Sequence, residues 1–228
     1  MHGILSIVAT PLGNLGDISE RAQNVLREAD LVVCEDTRVS AILLRHLGVS
    51  RPLMSCHEHN ERRVAPLIAD RVAAGEKVAV ICDAGTPGVS DPGFRVVREC
   101  HRRGLPVSPV PGPCAFVAAL VASGLPTNAF RFCGFAPPKS AARVRVLEGI
   151  READETVIFY ESCHRIEKFV QEIVTVLGEE RVICVARELT KIHETILTGT
   201  AAWVRSSLTG NNMRGEFVVI VAPVEFVL

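Results

Sequence analysis

Aromatic side chains are scarce in this chain, which has nine phenylalanines, one tyrosine (Tyr160) and one tryptophan (Trp203) among 228 residues. Isolated aromatics of this kind fill cores more often than they form stacking platforms. No apolar run approaches the roughly 18 residues a membrane span needs, which excludes a membrane partner of that type. No basic region precedes an apolar stretch at the N-terminus, so no signal peptide is read and a cytoplasmic protein is expected. Net charge is only −1. The overall basic footprint of a nucleic-acid binder is therefore missing, and any RNA partner must be held by a local patch.

Close cysteine pairs are missing too. Cys34, Cys56, Cys82, Cys100, Cys114, Cys133, Cys163 and Cys184 are dispersed, and several sit in or just after apolar runs. Reduced thiols acting as small buried hydrophobes fit that spacing better than zinc or disulfides. There is no Gly-Lys-Ser/Thr phosphate loop, no dinucleotide fingerprint and no Gly-x-Ser-x-Gly elbow, which disfavours NTPases, ordinary dehydrogenases and serine hydrolases. His57 and His59 flank Glu58, but without further close ligands a solvated turn is the better reading and no metal site is expected.

What the chain does have is Asp83-Ala84-Gly85-Thr86-Pro87-Gly88-Val89-Ser90-Asp91-Pro92-Gly93, directly after the unbroken apolar run Val78 to Cys82. The run predicts a strand buried on both faces, and the loop then leaves its carboxyl end, where open parallel sheets bind ligands. Glycines open the backbone to a ligand, prolines stiffen it and aspartates supply acceptors. A long, well-specified turn would look the same.

Four more strands, Ile4 to Ala9, Leu31 to Cys34, Leu53 to Cys56 and Val107 to Val110, alternate with helical patterns through residue 124. Asp17 with Glu20 resembles a capping box for the first helix, the second helix stops at Gly48, and Pro66 either kinks the third or begins it. This half predicts an α/β domain with a parallel sheet, residues 1–124. In residues 125–228 the pattern changes. Strands are expected at Phe130 to Phe135, Thr156 to Tyr160 and Val182 to Ala186, with helices from Ser140 to about Glu152 and from a Ser162 cap through Leu177. A further strand from Thr195 pairs with Glu216 to Ala222. Short connections there imply antiparallel pairing and a mixed sheet. The fold class expected is therefore two α/β domains with a cleft between them.

Ala9-Thr10-Pro11-Leu12-Gly13-Asn14-Leu15 with Asp17-Ile18, then Glu35-Asp36-Thr37-Arg38, Asp83 to Gly93, Pro111-Gly112-Pro113-Cys114-Ala115, Gly134-Phe135, Phe159-Tyr160-Glu161-Ser162 with His164-Arg165, and Arg187-Glu188-Leu189-Thr190-Lys191 follow in order. Together they closely resemble the ribosomal RNA small subunit methyltransferase I family of the tetrapyrrole methylase superfamily. The resemblance spans residues 4 to 222. It departs at Cys82, Cys163, Val39-Ser40, Ala136 and Pro138, and relatives usually continue beyond Leu228 into a small helical segment.

The resemblance implies S-adenosylmethionine-dependent 2′-O-methylation of a cytidine in the decoding region of 16S ribosomal RNA, by a homodimer acting on the small ribosomal subunit. By the same resemblance Asp83, Ala84, Gly85, Thr86 and Pro87, with Gly112, Pro113, Cys114 and Ala115, contact the donor. Tyr160, Glu161, Arg187 and Leu189 close over it from the second domain. Glu188, Lys191 and Asp36 are candidate catalytic groups, because a ribose hydroxyl gains from a base or a cation that lowers its pKa. Each is equally readable as an ordinary surface ion pair. Arg38, Lys139, Arg143 and Arg165 are the candidate phosphate-binding patch, with Lys191 at its edge. A tetrapyrrole methyltransferase and a non-catalytic ribosome- or RNA-binding factor are the alternative functions.

Overall fold

The computed structural model describes residues 3–228. The chain divides into two compact units, the first ending at Cys114 and the second running from Ala115 to Leu228. The sequence placed this boundary after residue 124. It falls earlier because the helix Ala115–Ala122 buries Ala119 and Leu120 among strands of the second sheet.

In the first unit, β1 (Ile4–Val8), β2 (Leu31–Cys34), β3 (Leu53–Ser55), β4 (Lys77–Val80) and β5 (Val107–Val110) form an all-parallel sheet in the order β3-β2-β4-β1-β5. Helices α1 (Glu20–Glu28) and α2 (Thr37–His46) cover one face, where Ala22, Leu26 and Leu44 pack on Val8, Val32 and Ala79. Helices α3 (Glu61–Ala73) and α4 (Phe94–Arg102) cover the other through Val64, Ile68, Val72 and Val96. A sheet sandwiched this way is buried on both faces, which is why its strands are continuous apolar runs.

Local chemistry differs from expectation at the first helix start, and at the third it selects between the two readings of Pro66. Ser19, in extended conformation, caps α1 by accepting from the Ala22 amide, while Asp17 belongs to a 3-10 turn (Leu15–Asp17) capped by Asn14. Helix α3 begins at Glu61 and runs through Pro66. The carbonyl that loses its partner to the proline is that of Arg62, an exposed residue that water can reach.

In the second unit, α5 (Ala115–Ala122) precedes β6 (Phe130–Phe135), α6 (Ser140–Glu148), β7 (Thr156–Ser162), α7 (Ile166–Leu177), β8 (Val182–Arg187), β9 (Thr195–Thr200), α8 (Ala201–Ser207) and β10 (Glu216–Val221). The sheet is mixed, in the order β6-β7-β10-β8-β9, with only β6 and β7 parallel. Strand β9 pairs with β8 rather than with β10, contrary to the sequence reading. The wholly apolar stretch Phe217 to Val221 takes the centre and the half-exposed β9 the edge. Ser162 ends β7 instead of capping α7, whose N-cap position is Arg165. Helix α6 stops at Glu148, before the expected Glu152. Helix α8, capped by Thr200, was not foreseen, and Trp203 on it is half exposed rather than core.

Strand residues in this unit alternate between two cores. Val157 and Phe159 face α6 and α7 with Phe169 and Ile173, while Ile158 and Tyr160 face α5. Burying each large side chain such as Phe159 or Phe169 contributes about 1.5–3 kcal/mol. The alternation also sorts the functional motifs onto opposite faces.

Candidate active site

At the carboxyl edge of the parallel sheet, the loops after β1, β2, β4 and β5 are fastened to one another. Thr10 and Gly85 exchange backbone hydrogen bonds, and the Thr10 hydroxyl donates to the Cys82 carbonyl at 3.1 Å. The Thr86 hydroxyl donates to the Pro113 carbonyl at 2.9 Å. Asp83 Oδ1 accepts from the Asp36 amide at 3.2 Å. Gly112 lies so near the first loop that a Cβ there would stand 3.0 Å from Ala9 Cβ, and Gly85 holds φ +84° with Leu12 behind it. The expected donor residues Asp83, Ala84, Gly85, Thr86, Pro87, Gly112, Pro113 and Cys114 therefore form one rigid loop assembly in the first unit. Asp83 stands exposed on it.

The rest of the organising loop is held from below. Glu61, buried at the start of α3, accepts from the amides of Gly93 and Arg95 at 2.8 and 2.9 Å and so caps α4. Sequence reasoning missed Thr10 and Glu61 because their partners lie far away in the chain. Cys82 and Cys56 are buried and their thiols pushed up by desolvation, Cys56 to about 12, so both are inert at neutral pH. Cys133 is exposed, an exception to the expected buried thiols.

Asp36 caps α2 through the Arg38 amide and forms a two-oxygen ion pair with the Arg38 guanidinium, which holds its pKa down to about 2. Such a carboxylate is a poor proton acceptor. Its neighbour Glu35 is the opposite case. Partial burial, and then the nearby charges of Asp83, Asp36 and Glu58 working against His57, raise its pKa. Glu35 opens the Glu35 to Arg38 motif but was not among the expected catalytic groups.

In the second unit the motif residues separate by face. Tyr160, Leu189 and Ala115 gather on the α5 side, where the Tyr160 hydroxyl accepts from the Phe116 amide at 3.3 Å. Glu161 points to the other side. One of its oxygens accepts from the Ser162 amide and from Arg165, both at 2.7 Å, and the other is buried with no partner among the described residues. Arg187 is also on that side, buried, bonding the carbonyls of Arg214 and of His193. It fastens the two walls of a groove of about 560 Å³ lined by Glu188, Ile192, Asn212 and Gly215. Glu161 and Arg187 are thus arranged to hold segments in place, whereas Tyr160 and Leu189 share a surface.

Glu188 and Lys191 form an ion pair at 3.0 Å, and Lys191 also reaches Glu216 at 2.8 Å. Burial raises the Glu188 pKa, but the hydrogen bond from Lys191, the Glu216 amide and the charges of Lys191 and Arg187 more than offset it and leave the pKa lowered. Lys191, desolvated yet bonded to two carboxylates, ends with a raised pKa and stays charged. Lys191, protonated, has no lone pair with which to accept a proton, and Glu188, though ionised, is made a weaker base by its lowered pKa. The segment they close is strained, with Glu188 at φ +50° and Thr190 at φ +66°.

The expected phosphate patch also divides. Arg38 and Lys139 are exposed. Arg143 is not available to RNA. It is 2% exposed, bidentate to Glu172 at 2.7 and 2.8 Å, and donates to the carbonyls of Pro137 and Pro138. Arg165 is mostly engaged, with Glu161 and the Ala136 carbonyl.

The family model for Tetrapyrrole (Corrin/Porphyrin) Methylases matches residues 5–204. Proteins named "Ribosomal RNA small subunit methyltransferase I" match over nearly the whole chain. The one from Xylella fastidiosa strain Temecula1 is 49% identical over 96% of this chain and 81% of its own length. That from Pseudomonas aeruginosa is 50% identical over 96% and 79%, and that from Synechocystis 41% over 96% and 79%. Among solved structures, a diphthine synthase aligns with a TM-score of 0.74 at 16% identity, covering 96% of this chain and 90% of its own. A cobalt precorrin-4 methyltransferase aligns with 0.67 at 17%, covering 96% and 94%. These last show a shared fold. The sequence relatives show more, and the chain belongs to the ribosomal RNA small subunit methyltransferase I family within the tetrapyrrole methylases.

Proposed function

We propose that this protein transfers a methyl group from S-adenosylmethionine to the ribose 2′-hydroxyl of a cytidine in the decoding region of 16S ribosomal RNA, with the small subunit as substrate. The observation that carries the reading is kinship with proteins of that name along nearly the full chain. The first-unit loop assembly fits the donor chemically. A molecule bearing ammonium, carboxylate and ribose hydroxyls needs an exposed acceptor beside accessible backbone, and Asp83 with Ala84 and the Gly112 to Cys114 turn supply both. When bound, S-adenosylmethionine supplies an electrophilic methyl on a sulfonium.

The protein's part is alignment and exclusion of water. Thr86 fixes the two donor loops on each other, Thr10 ties the loop after the first strand to one of them, and Asp83 is oriented by the Asp36 amide. Asp36 then acts as helix cap and as partner of Arg38 rather than as a base. Glu188 and Lys191 close the strained 188–191 segment. Of these carboxyls, Glu35 is the one whose raised pKa suits proton acceptance.

Transfer of labelled methyl to 30S subunits lacking the modification, with free 16S RNA and a uroporphyrinogen-type tetrapyrrole in parallel, tests the proposal. Label recovered as 2′-O-methylcytidine is expected. Label on the tetrapyrrole alone, or donor binding without any product, overturns it.

A further inference from the structure

The scarce aromatics are not scattered. Phe116, Phe130, Phe132, Phe135 and Tyr160 form one cluster on the α5 side of the second sheet, with Phe116 stacked on Phe132 at 4.5 Å and Tyr160 edge-on to Phe132 at 4.9 Å and to Phe135 at 5.6 Å. Phe135 belongs there only because β6 breaks its register. Phe130 pairs with Thr156 and Phe132 with Ile158, and in a regular strand residue 134 would come next on that face. An irregularity between Phe132 and Phe135, with Gly134 at φ +66°, places Phe135 opposite Tyr160 instead. Bulges of this kind re-aim single side chains beside functional sites. The re-aimed ring is not absorbed into the core, for it remains 55% exposed at the end of an edge strand.

Four residues on stands Lys139, exposed and making no ion pair among the described residues. The segment between them is fixed through its carbonyls. Arg165 holds that of Ala136, and Arg143, anchored on buried Glu172, holds those of Pro137 and Pro138. Two buried or half-buried guanidiniums thus hold the backbone that runs between an exposed ring and an exposed lysine. Their own charge is spent on carboxylates, so they add rigidity rather than positive potential.

We propose that Phe135 is a stacking platform for an unpaired pyrimidine of the substrate RNA, with Lys139 taking the adjoining phosphate. Every base has a face that stacks on an aromatic ring, and sequence-specific RNA recognition targets bases splayed from a strand. An exposed ammonium four residues along a held backbone from the ring is what a nucleotide uses, and an apolar protein partner has no need of it. The inference rests on the rRNA reading above and names where that substrate is gripped.

The test uses the full chain with Trp203→Phe, leaving position 135 as the sole indole once Phe135→Trp is introduced. Quenching of its fluorescence on titration with 16S RNA, and not with S-adenosylmethionine alone, is expected. Phe135→Leu should lose about tenfold or more in RNA affinity and in kcat/KM for RNA, an order of magnitude set by loss of one stacked ring. Phe135→Tyr should retain both, and donor affinity should stay constant across the series. Wild-type RNA affinity in Phe135→Leu, or an unquenched indole, overturns the platform while leaving the rRNA reading intact. A dimer-to-monomer change in sedimentation with RNA affinity preserved reassigns the ring to self-association and also overturns it. If wild-type protein neither binds nor methylates ribosomal RNA, both readings fall together.

Discussion

Thr10 and Gly85, 75 residues apart in the chain, exchange both backbone hydrogen bonds at 2.8 and 3.1 Å, and the Thr10 hydroxyl reaches over to the Cys82 carbonyl. This contact joins the loop after the first strand to the loop proposed to hold the donor. Thr10→Val keeps the shape but leaves a buried carbonyl unpaired, which costs about 1–3 kcal/mol. Calorimetric titration with S-adenosylmethionine should show weaker binding for Thr10→Val than for Thr10→Ser. Equal affinity in the two variants would mean the bridge does not organise the donor site.

Much of this architecture was legible in the sequence because its signals are local. Val78 to Cys82 reads as a doubly buried strand from composition alone, and the glycine loop after it from punctuation alone. What escaped was pairing at a distance. Nothing near Glu61 says that it caps a helix starting at Phe94, and nothing near Arg143 says that Glu172 neutralises it. An arginine on a helix reads as solvent-facing when its buried partner lies on another element, and Arg143 was accordingly expected in the phosphate patch. The face of a residue escaped as well. Tyr160 and Glu161 are neighbours in one motif, yet strand alternation sends one to the α5 side and the other beneath α6 and α7.

The Arg143–Glu172 pair gives a stability prediction with a definite pH sign. Burial raises the Glu172 pKa, but hydrogen bonds from Arg143 and Ser140 more than offset this and leave it below the ordinary value of 4.5. A depressed carboxyl contributes stability that is complete above its unfolded pKa and is lost as pH falls through the folded one. Glu172→Gln should therefore be destabilised at pH 7, by about 3–5 kcal/mol if Arg143 is left charged and buried. The gap from wild type should narrow below pH 4.5. Urea denaturation at pH 7 and pH 3.5 reads this directly, and a gap that is constant with pH would contradict it.

Gly215 occupies φ +100°, and a Cβ there would stand 2.4 Å from the Glu188 carboxylate. Gly215→Ala should displace Glu188 from Lys191 as well as strain the backbone, lowering stability by roughly 1–3 kcal/mol. Lys191→Met leaves the half-buried Glu188 without its cation but keeps the backbone. Loss of methyl transfer in both variants, at unchanged donor affinity, would place the 188–191 segment on the RNA side of the reaction. Full activity in Gly215→Ala would show that the ion pair is dispensable.

Glu35 is held above the ordinary carboxyl range by burial first and by Asp83, Asp36 and Glu58 next, with His57 opposing. The sign is opposite to that of Glu172. Between its unfolded and folded pKa values the native state binds more protons, so this group lowers stability as pH rises through that window. Glu35→Gln should accordingly be more stable than wild type at pH 7 and no more stable at pH 4. If Glu35 accepts the ribose proton, the acidic limb of the kcat/KM profile should vanish with the same substitution. A limb that persists in Glu35→Gln would remove it from the reaction.

Arg143 and Lys139 lie four residues apart and were read together as phosphate ligands, yet the structure gives them opposite consequences in salt. Lys139 is exposed, so each phosphate it neutralises releases a counterion and steepens the dependence of affinity on salt. Arg143 is neutralised internally and faces no solvent. Lys139→Ala should reduce the slope of log K against log salt for RNA binding by about one, with the protein otherwise as stable as before. Arg143→Met should lower thermal stability, and at temperatures where it is folded its slope should match wild type. If the slopes respond the other way round, it is Arg143 that opens to reach RNA, and the carbonyls of Pro137 and Pro138 are not its resting partners.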